Sequence, residues 1–336
     1  MITVIGQSTQ LGALPDWRQS LRDAVTDPRE LLELVGLSRL AARLPADDAG
    51  FALKVPRGFV ARMHRGDPAD PLLLQVLPQL AELDEMPGFS DDAVGDLDAL
   101  QARGVLHKYE GRALLIAAGS CAVNCRYCFR RHFPYAEELA AASAWRAAMD
   151  CLAADSSIRE VILSGGDPLV LSTQKLTELT QALRTTPHVI RLRIHSRLPV
   201  VLPERIDDVF CAWLAGLPLQ RVVVLHANHP NELDASVGAA CARLREAGAT
   251  LLNQSVLLRG VNDDADALAG LSEHLFALGV LPYYLHQLDR VRGAAHFEVP
   301  DARARELVGT LRARLPGYLV PRLVREVPGE NAKRPL

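Results

Sequence analysis

The sequence has no apolar run that approaches the roughly 20 residues needed to cross a bilayer as a helix. A membrane span is therefore not expected. Its start, MITVIGQSTQ, lacks the basic n-region and long apolar stretch of a secretory leader. It has no surplus of either charge, because 37 Lys and Arg against 40 Asp and Glu leave a net −3. Without a basic field, neither nucleic acid nor a membrane surface is an expected partner. Cysteine is scarce, six in 336 residues, which excludes the disulfide framework of a small secreted scaffold. A reducing, cytoplasmic setting fits that usage. Low-complexity segments and evident internal repeats are missing as well. What remains, 49% apolar and 23% charged residues, is an ordinary globular composition. It is long enough for one large domain or a domain plus a lobe.

Three of the six cysteines crowd into Cys121-Ala122-Val123-Asn124-Cys125-Arg126-Tyr127-Cys128, followed by Phe129, Arg130, Arg131 and His132. This C-x₃-C-x₂-C spacing lies in a loop just after the apolar run 113–118. Thiolates are soft ligands that hold iron–sulfur clusters. Three ligands for a four-iron cluster leave one iron open to a small molecule, much as catalytic zinc keeps one position open. Two other readings stand beside this one. His132 could complete a structural Cys₃His zinc site, or the thiols could be core residues. Cys151, Cys211 and Cys241 lie in helical patterns and read as core.

Residues 16–44 read as helices. Trp17, Leu21 and Val25 fall at helical spacing, and Asp27-Pro28 offers a cap followed by proline at the first helical position. Segment 56–87 is punctuated by prolines, with a helix expected over 72–83. From 113 onward, short apolar runs alternate with helical stretches. The runs are 113–118, 160–164, 191–195, 221–226, 250–257 and 282–286. Helices are expected over 138–154, 173–185, 235–247 and 265–278. Starts after the second run lie roughly 30 residues apart, the length of a βα unit. That rhythm predicts an α/β fold of parallel strands with right-handed crossovers. Six units predict an open, partial (β/α)6 barrel rather than a closed eightfold one. The expected division is an N-terminal helical lobe over 1–100, the barrel over 101–324 and a short C-terminal tail over 325–336. Chemistry in such barrels gathers at the carboxyl ends of strands, where this chain concentrates its polar, glycine-rich motifs.

After the second run comes Ser164-Gly165-Gly166-Asp167-Pro168. Paired glycines let backbone groups approach a ligand, and a tight turn before a helix explains them equally well. Arg197, in His195-Ser196-Arg197, suits bidentate capture of a phosphate or carboxylate, or a surface ion pair. His226 and His229 read as local hydrogen-bonding groups ahead of metal ligands. Asn253-Gln254-Ser255 is polar within an apolar run and is expected to face a pocket. Asp289 is a candidate for a substrate cation or a helix cap. Lys333 reads, by itself, as a solvated lysine.

Taken together, CAVNCRYCFRRHF, SGGDPL, RIHSRLPVVLPERI, HANHPNE, LLNQSVLLRGVND and PYYLHQLDRVRGAAHF resemble the lysine 2,3-aminomutase family of radical S-adenosylmethionine enzymes. The likeness runs from about residue 15 onward. It implies a radical SAM barrel with a [4Fe–4S] cluster on Cys121, Cys125 and Cys128, and S-adenosylmethionine chelated at the open iron. Reductive cleavage there releases a 5′-deoxyadenosyl radical. The resemblance further implies pyridoxal 5′-phosphate held covalently by Lys333, with its phosphate served by Arg112 and Arg197, together with Lys108. Gly165, Gly166 and Asp167 would receive the S-adenosylmethionine ammonium, and Gln254 would contact the nucleoside. Arg130 would clamp the substrate carboxylate, while Asp289 and Glu326 would face the ε-ammonium of L-lysine. The implied activity is that of an isomerase that moves an amino group from Cα to Cβ.

Two departures from the catabolic members matter. Where they have Asp before a PGGGGK run, this sequence has Glu326 and PGENAK, so one extra methylene displaces the second carboxylate. They also continue well past the lysine into a segment used for oligomer contacts, whereas this sequence ends three residues after it. A homo-oligomer remains compatible with the family. These features, with WRQSLRDAVTDPRELLELVGL, resemble the short subgroup that makes (R)-β-lysine for elongation factor P, which a partner ligase attaches to a lysine of that factor. The rivals are a catabolic enzyme forming (S)-β-lysine, a radical enzyme that gives Lys333 no role, and a zinc-stabilised binding module.

Overall fold

The computed structural model describes residues 16–46, 50–140 and 145–336. The start MITVIGQSTQ, and residues 141–144 of the helix expected over 138–154, lie outside the described residues. Among the described residues, no helix is long and apolar enough to cross a membrane.

Ten strands form one sheet in chain order. They are β1 (Leu100–Ala102), β2 (Val105–Tyr109), β3 (Arg112–Ala118), β4 (Glu160–Gly165), β5 (Arg191–Ser196), β6 (Gln220–Leu225), β7 (Thr250–Val256), β8 (Leu281–His286), β9 (Arg322–Arg325) and β10 (Arg334–Pro335). Strands β3 to β9 are parallel. At the ends, β1, β2 and β10 pair antiparallel. The edge strands β1 and β10 do not pair with each other among the described residues, so the barrel stays open. The six expected runs are β3 to β8. The four short end strands have no periodic pattern long enough to read.

Strands β3 and β4 are buried along most of their length and accordingly apolar, as parallel strands covered on both faces must be. β5 instead alternates. Leu192 and Ile194 are buried in the core, while Arg193 and His195 line the interior cavity. The crossover helices Thr173–Leu183, Asp208–Ala215, Ala235–Glu246 and Ala265–Ala277 start on capping side chains, Ser172, Asp207, Asp234 and Asp264. Asp27 caps Pro28–Leu34 in the same way, with Pro28 at its first position as the sequence predicts.

Two expected helices are shorter. The stretch 72–83 splits into Pro71–Leu74 and a 3₁₀ turn, Leu80–Leu83. Pro78 lies between them, offers no amide and disfavours the helical conformation at the residue before it. Of 138–154, Arg146–Ala154 is helical, 138–139 is irregular and 140 is 3₁₀. Cys241 is buried as expected, but Cys151 and Cys211 are only half-buried against the core.

The N-terminal helices share one hydrophobic core with the barrel, in which Trp17, Leu31 and Phe59 join Leu115 and Leu163. Buried Arg205 is sandwiched between Trp17 and Phe210, at 4.7 and 4.6 Å from the ring centres. The cysteine loop is stitched to the same lobe. Asn124 N donates to the Lys54 carbonyl and Arg126 N to that of Gln75, both at 2.9 Å. Glu82 accepts from Arg126 Nε at 2.8 Å and from Arg131 Nη2 at 2.9 Å, and all three side chains are at most 2% exposed. A buried carboxylate shared by two guanidiniums cannot be removed cheaply, because two charges are left uncompensated. Glu82→Ala should cost about 3–5 kcal/mol, read as a lowered urea midpoint. A loss below about 1 kcal/mol, no more than a surface ion pair is worth, would show that the triad does not hold the loop to the lobe.

Candidate active site

A cavity of about 370 Å³ occupies the barrel interior, within the range of small-ligand sites. At one end stand Cys121, Cys125 and Cys128. Burial, and then the charge of the neighbouring thiols, pushes Cys121 well above the ordinary thiol value and Cys128 up to about 11. Free, both stay protonated at neutral pH, so metal loading must release those protons. His132 does not complete this group; its ring faces the Arg292 carbonyl at 3.2 Å.

The glycine loop after β4 lies directly on the cysteine loop. Gly166 N donates to the Ala118 carbonyl at 2.7 Å and Asp167 N to that of Ser120 at 2.9 Å. A Cβ on Gly165, whose φ is +112°, would sit 2.6 Å from the Ala118 oxygen, and one on Gly166 would collide with Ser120. Only glycines allow this approach. Asp167 corrects the sequence reading. Its carboxylate is filled by Ser196 Oγ (2.8 Å) and the amides of Leu169, Arg197 and Leu198 at 3.0, 2.7 and 3.2 Å. It ties the loops after β4 and β5 together, and none of its capacity is left for an ammonium ligand.

Arg197 is a second correction. Its guanidinium is buried and turned to the cysteine loop. Nη1 donates to Cys125 Sγ at 2.6 Å, and Nη2 to Gln75 Oε1 at 2.7 Å and Glu232 Oε2 at 3.0 Å. Both terminal nitrogens are thus engaged at the thiol end, while its Nε has no partner among the described residues. Lys108 is likewise engaged, with Asp96 at 2.6 Å and Glu326 at 3.7 Å. Of the expected phosphate cations, Arg112 lies over the Tyr109 ring, 4.5 Å from its centre. Arg193, which the sequence reading did not single out, lines the same wall with Tyr283; its Nη2 donates to Glu160, while its Nε has no partner among the described residues.

Lys333 is not in a solvated tail. Strand β10 folds back on β9, pairing Arg334 with Arg325, which sets Lys333 opposite Glu326. Its Nζ donates to Glu326 Oε2, and Tyr109 Oη donates to Oε1 at 2.6 Å. Burial would raise the Glu326 carboxyl, but Lys333, Tyr109 and Lys108 outweigh it and hold it below the usual range. The expectation that Glu326 faces a substrate ammonium thus meets a carboxylate already engaged by three groups. Asp96 is the acid that the sequence did not reveal. It is buried and accepts from Arg130 Nε at 2.6 Å, while Arg130 Nη1 reaches Ser164 Oγ at 3.1 Å.

Asp289 is half-buried in the cavity wall, and its buried Oδ1 has no partner among the described residues. Burial pushes its carboxyl up to about 7, against the pull of Lys333. Gln254 also lines the cavity, whereas Asn253 and Ser255 point away from it to the backbone of Ala227. Strand alternation permits only one of two such faces. Three histidines complete the floor: His286, which is buried, and half-buried His195 and His226. His195 Nδ1 and His226 Nε2 lie 3.3 Å apart, and burial pulls all three down, His226 to about 3, so they stay neutral.

The sequence profile of the Radical SAM superfamily matches residues 115–271. Over 323 residues the chain is 50% identical to L-lysine 2,3-aminomutase of Escherichia coli K12, covering 96% of this chain and 94% of that one. The chain belongs to the lysine 2,3-aminomutase family. It is also 48% identical to L-lysine 2,3-aminomutase of Haemophilus influenzae, over 95% of this chain and 94% of that one. For the enzyme of Clostridium subterminale the values are 33%, 96% and 77%. Aminomutases are isomerases, and radical SAM membership implies a [4Fe–4S] cluster and S-adenosylmethionine. The donors fit the family's cluster, since three soft thiols from one loop face the cavity with the glycine loop packed alongside.

The raised Asp289 carboxyl has a thermodynamic consequence. The folded chain holds a proton there that the unfolded chain releases near pH 4. Its contribution to stability is full below that value and is lost as pH rises through about 7. In denaturant titrations of the cofactor-free protein, Asp289→Asn should therefore gain on the parent chain between pH 5 and pH 8. Parallel curves would mean that Asp289 is ionised throughout.

Proposed function

We propose that the protein is an L-lysine 2,3-aminomutase that uses pyridoxal phosphate on Lys333 and makes (R)-β-lysine for the modification of elongation factor P. One observation carries this reading: the cysteine triad and the amine of Lys333 line the same cavity, with Arg130 and Asp289 in its wall. The Cβ hydrogen of lysine is unactivated, so no side-chain base removes it as a proton at neutral pH. When bound, the cluster with S-adenosylmethionine supplies hydrogen-atom abstraction, and pyridoxal phosphate supplies the π-system that lets nitrogen migrate.

The chain's own residues do the rest. Arg130, held at Nε by Asp96, presents its remaining donors to the substrate carboxylate. Asp289 offers an unpartnered carboxylate to the ε-ammonium, so a dibasic amino acid is gripped at both ends. Glu326 holds the Lys333 amine in place by accepting from its Nζ. Arg112 with Arg193 provides the cations for the phosphate. Gly165 and Gly166 bring backbone next to the cysteine loop, and Gln254 faces the nucleoside.

The elongation factor P role is supported by Glu326 in place of aspartate and by the PGENAK run. Its product would pass to a ligase that attaches it to a lysine of the factor. Chiral chromatography of the product from L-lysine, with anaerobic, reconstituted protein and a reductant, tests the assignment. (R)-β-lysine is expected, (S)-β-lysine would make the enzyme catabolic, and no β-lysine would sink the substrate assignment. Lys333→Ala should lose the visible absorbance of covalently held pyridoxal phosphate. An unchanged spectrum would place the attachment on another amine.

A further inference from the structure

We propose that Arg197 positions and tunes the iron–sulfur cluster, its guanidinium donating to the Cys125 sulfur and raising the reduction potential. The inference rests on the cluster assignment above and adds a residue that the motif alone assigns elsewhere.

The side chain has little freedom to do anything else. Its backbone amide is fixed by Asp167 at 2.7 Å. Its guanidinium lies 5.5 Å from the Phe59 ring and 5.6 Å from the Tyr127 ring. One face of the fork is on Cys125 at 2.6 Å and the other on Gln75 and Glu232. Glu232 is fully buried and held in turn by the amides of Asn228 (2.8 Å) and His229 (3.1 Å) and by Gln75 Nε2 (3.1 Å). Glu232 therefore aims the guanidinium, which meets the sulfur beside the Tyr127 phenol.

An added electron makes a cluster more negative. Hydrogen bonds to its sulfurs and nearby positive charge favour that state, and in a buried site they are weakly screened. Glu232 carries the opposite charge one step further away. The two residues therefore act on the potential with opposite signs, which a purely structural role would not produce.

The test is a redox titration, followed by electron paramagnetic resonance, of anaerobic, reconstituted wild type, Arg197→Gln, Arg197→Lys and Glu232→Gln. Arg197→Gln should have a lower midpoint, with about a tenfold smaller reduced-to-oxidised ratio at the wild-type midpoint. Arg197→Lys should fall between the two, Glu232→Gln should move up, and pyridoxal phosphate content should be unchanged throughout. Midpoints that coincide with wild type while iron content is intact would overturn the proposal. So would loss of pyridoxal phosphate from Arg197→Gln with its cluster unaltered, which would return the residue to the phosphate. If Arg197→Gln holds too little iron to titrate, opposite shifts in Arg197→Lys and Glu232→Gln still decide the matter. Wild-type protein that takes up no iron would instead remove the cluster assignment itself.

Discussion

A line of alternating charges crosses the opening of the barrel, and both ends of the site hang on it. Lys333 pairs with Glu326, Glu326 faces Lys108, Lys108 pairs with Asp96, and Asp96 holds Arg130. These five come from the loop before β10, the loop after β9, β2, the segment before β1, and the cysteine loop. Buried charges are tolerated only in company, so each residue is held in place by the next. Where backbone pairing stops at the sheet's edges, electrostatics continues the enclosure.

The two ends of the cavity are built by different means. At the cysteine end the restraint is steric, because glycine backbone lies against the cysteine loop and leaves no room for a Cβ. At the lysine end it is electrostatic, a carboxylate shared by an amine and a phenol. Between them the wall changes from donors at Arg130 to an empty acceptor at Asp289. An amino acid with a terminal ammonium matches that polarity in one direction only.

Much of the barrel was legible because its signal is local. Strands β3 to β8 announce themselves as apolar runs at a steady interval, and the cysteine spacing is complete within eight residues. The roles of Asp96 and Arg197 were not, because each is set by a partner far along the chain: Arg130 lies 34 residues from Asp96, and Cys125 lies 72 from Arg197. Composition around Arg197 suits an anion, and nothing local says that the nearest acceptor is a thiol. Asn253 and Ser255 misled for another reason. A polar triplet in a strand shows two faces, and hydrogen bonds to Ala227 satisfy the hidden one. Lys333 looked solvated because two residues of strand carry no pattern, yet that short pairing is what delivers the amine.

The chain order of the strands also dictates the order in which the site can come into being. The cysteine loop packs on lobe residues that precede it, Lys54, Gln75 and Glu82, and on the glycine loop that follows soon after. Those contacts are available early in synthesis. Lys333 is delivered only when β10 folds back on β9, at the far end of the sheet and long after the cysteine loop in chain order. A nascent chain therefore shapes its sulfur ligands well before it has an amine to offer, and the finished cavity is closed from the lysine side last.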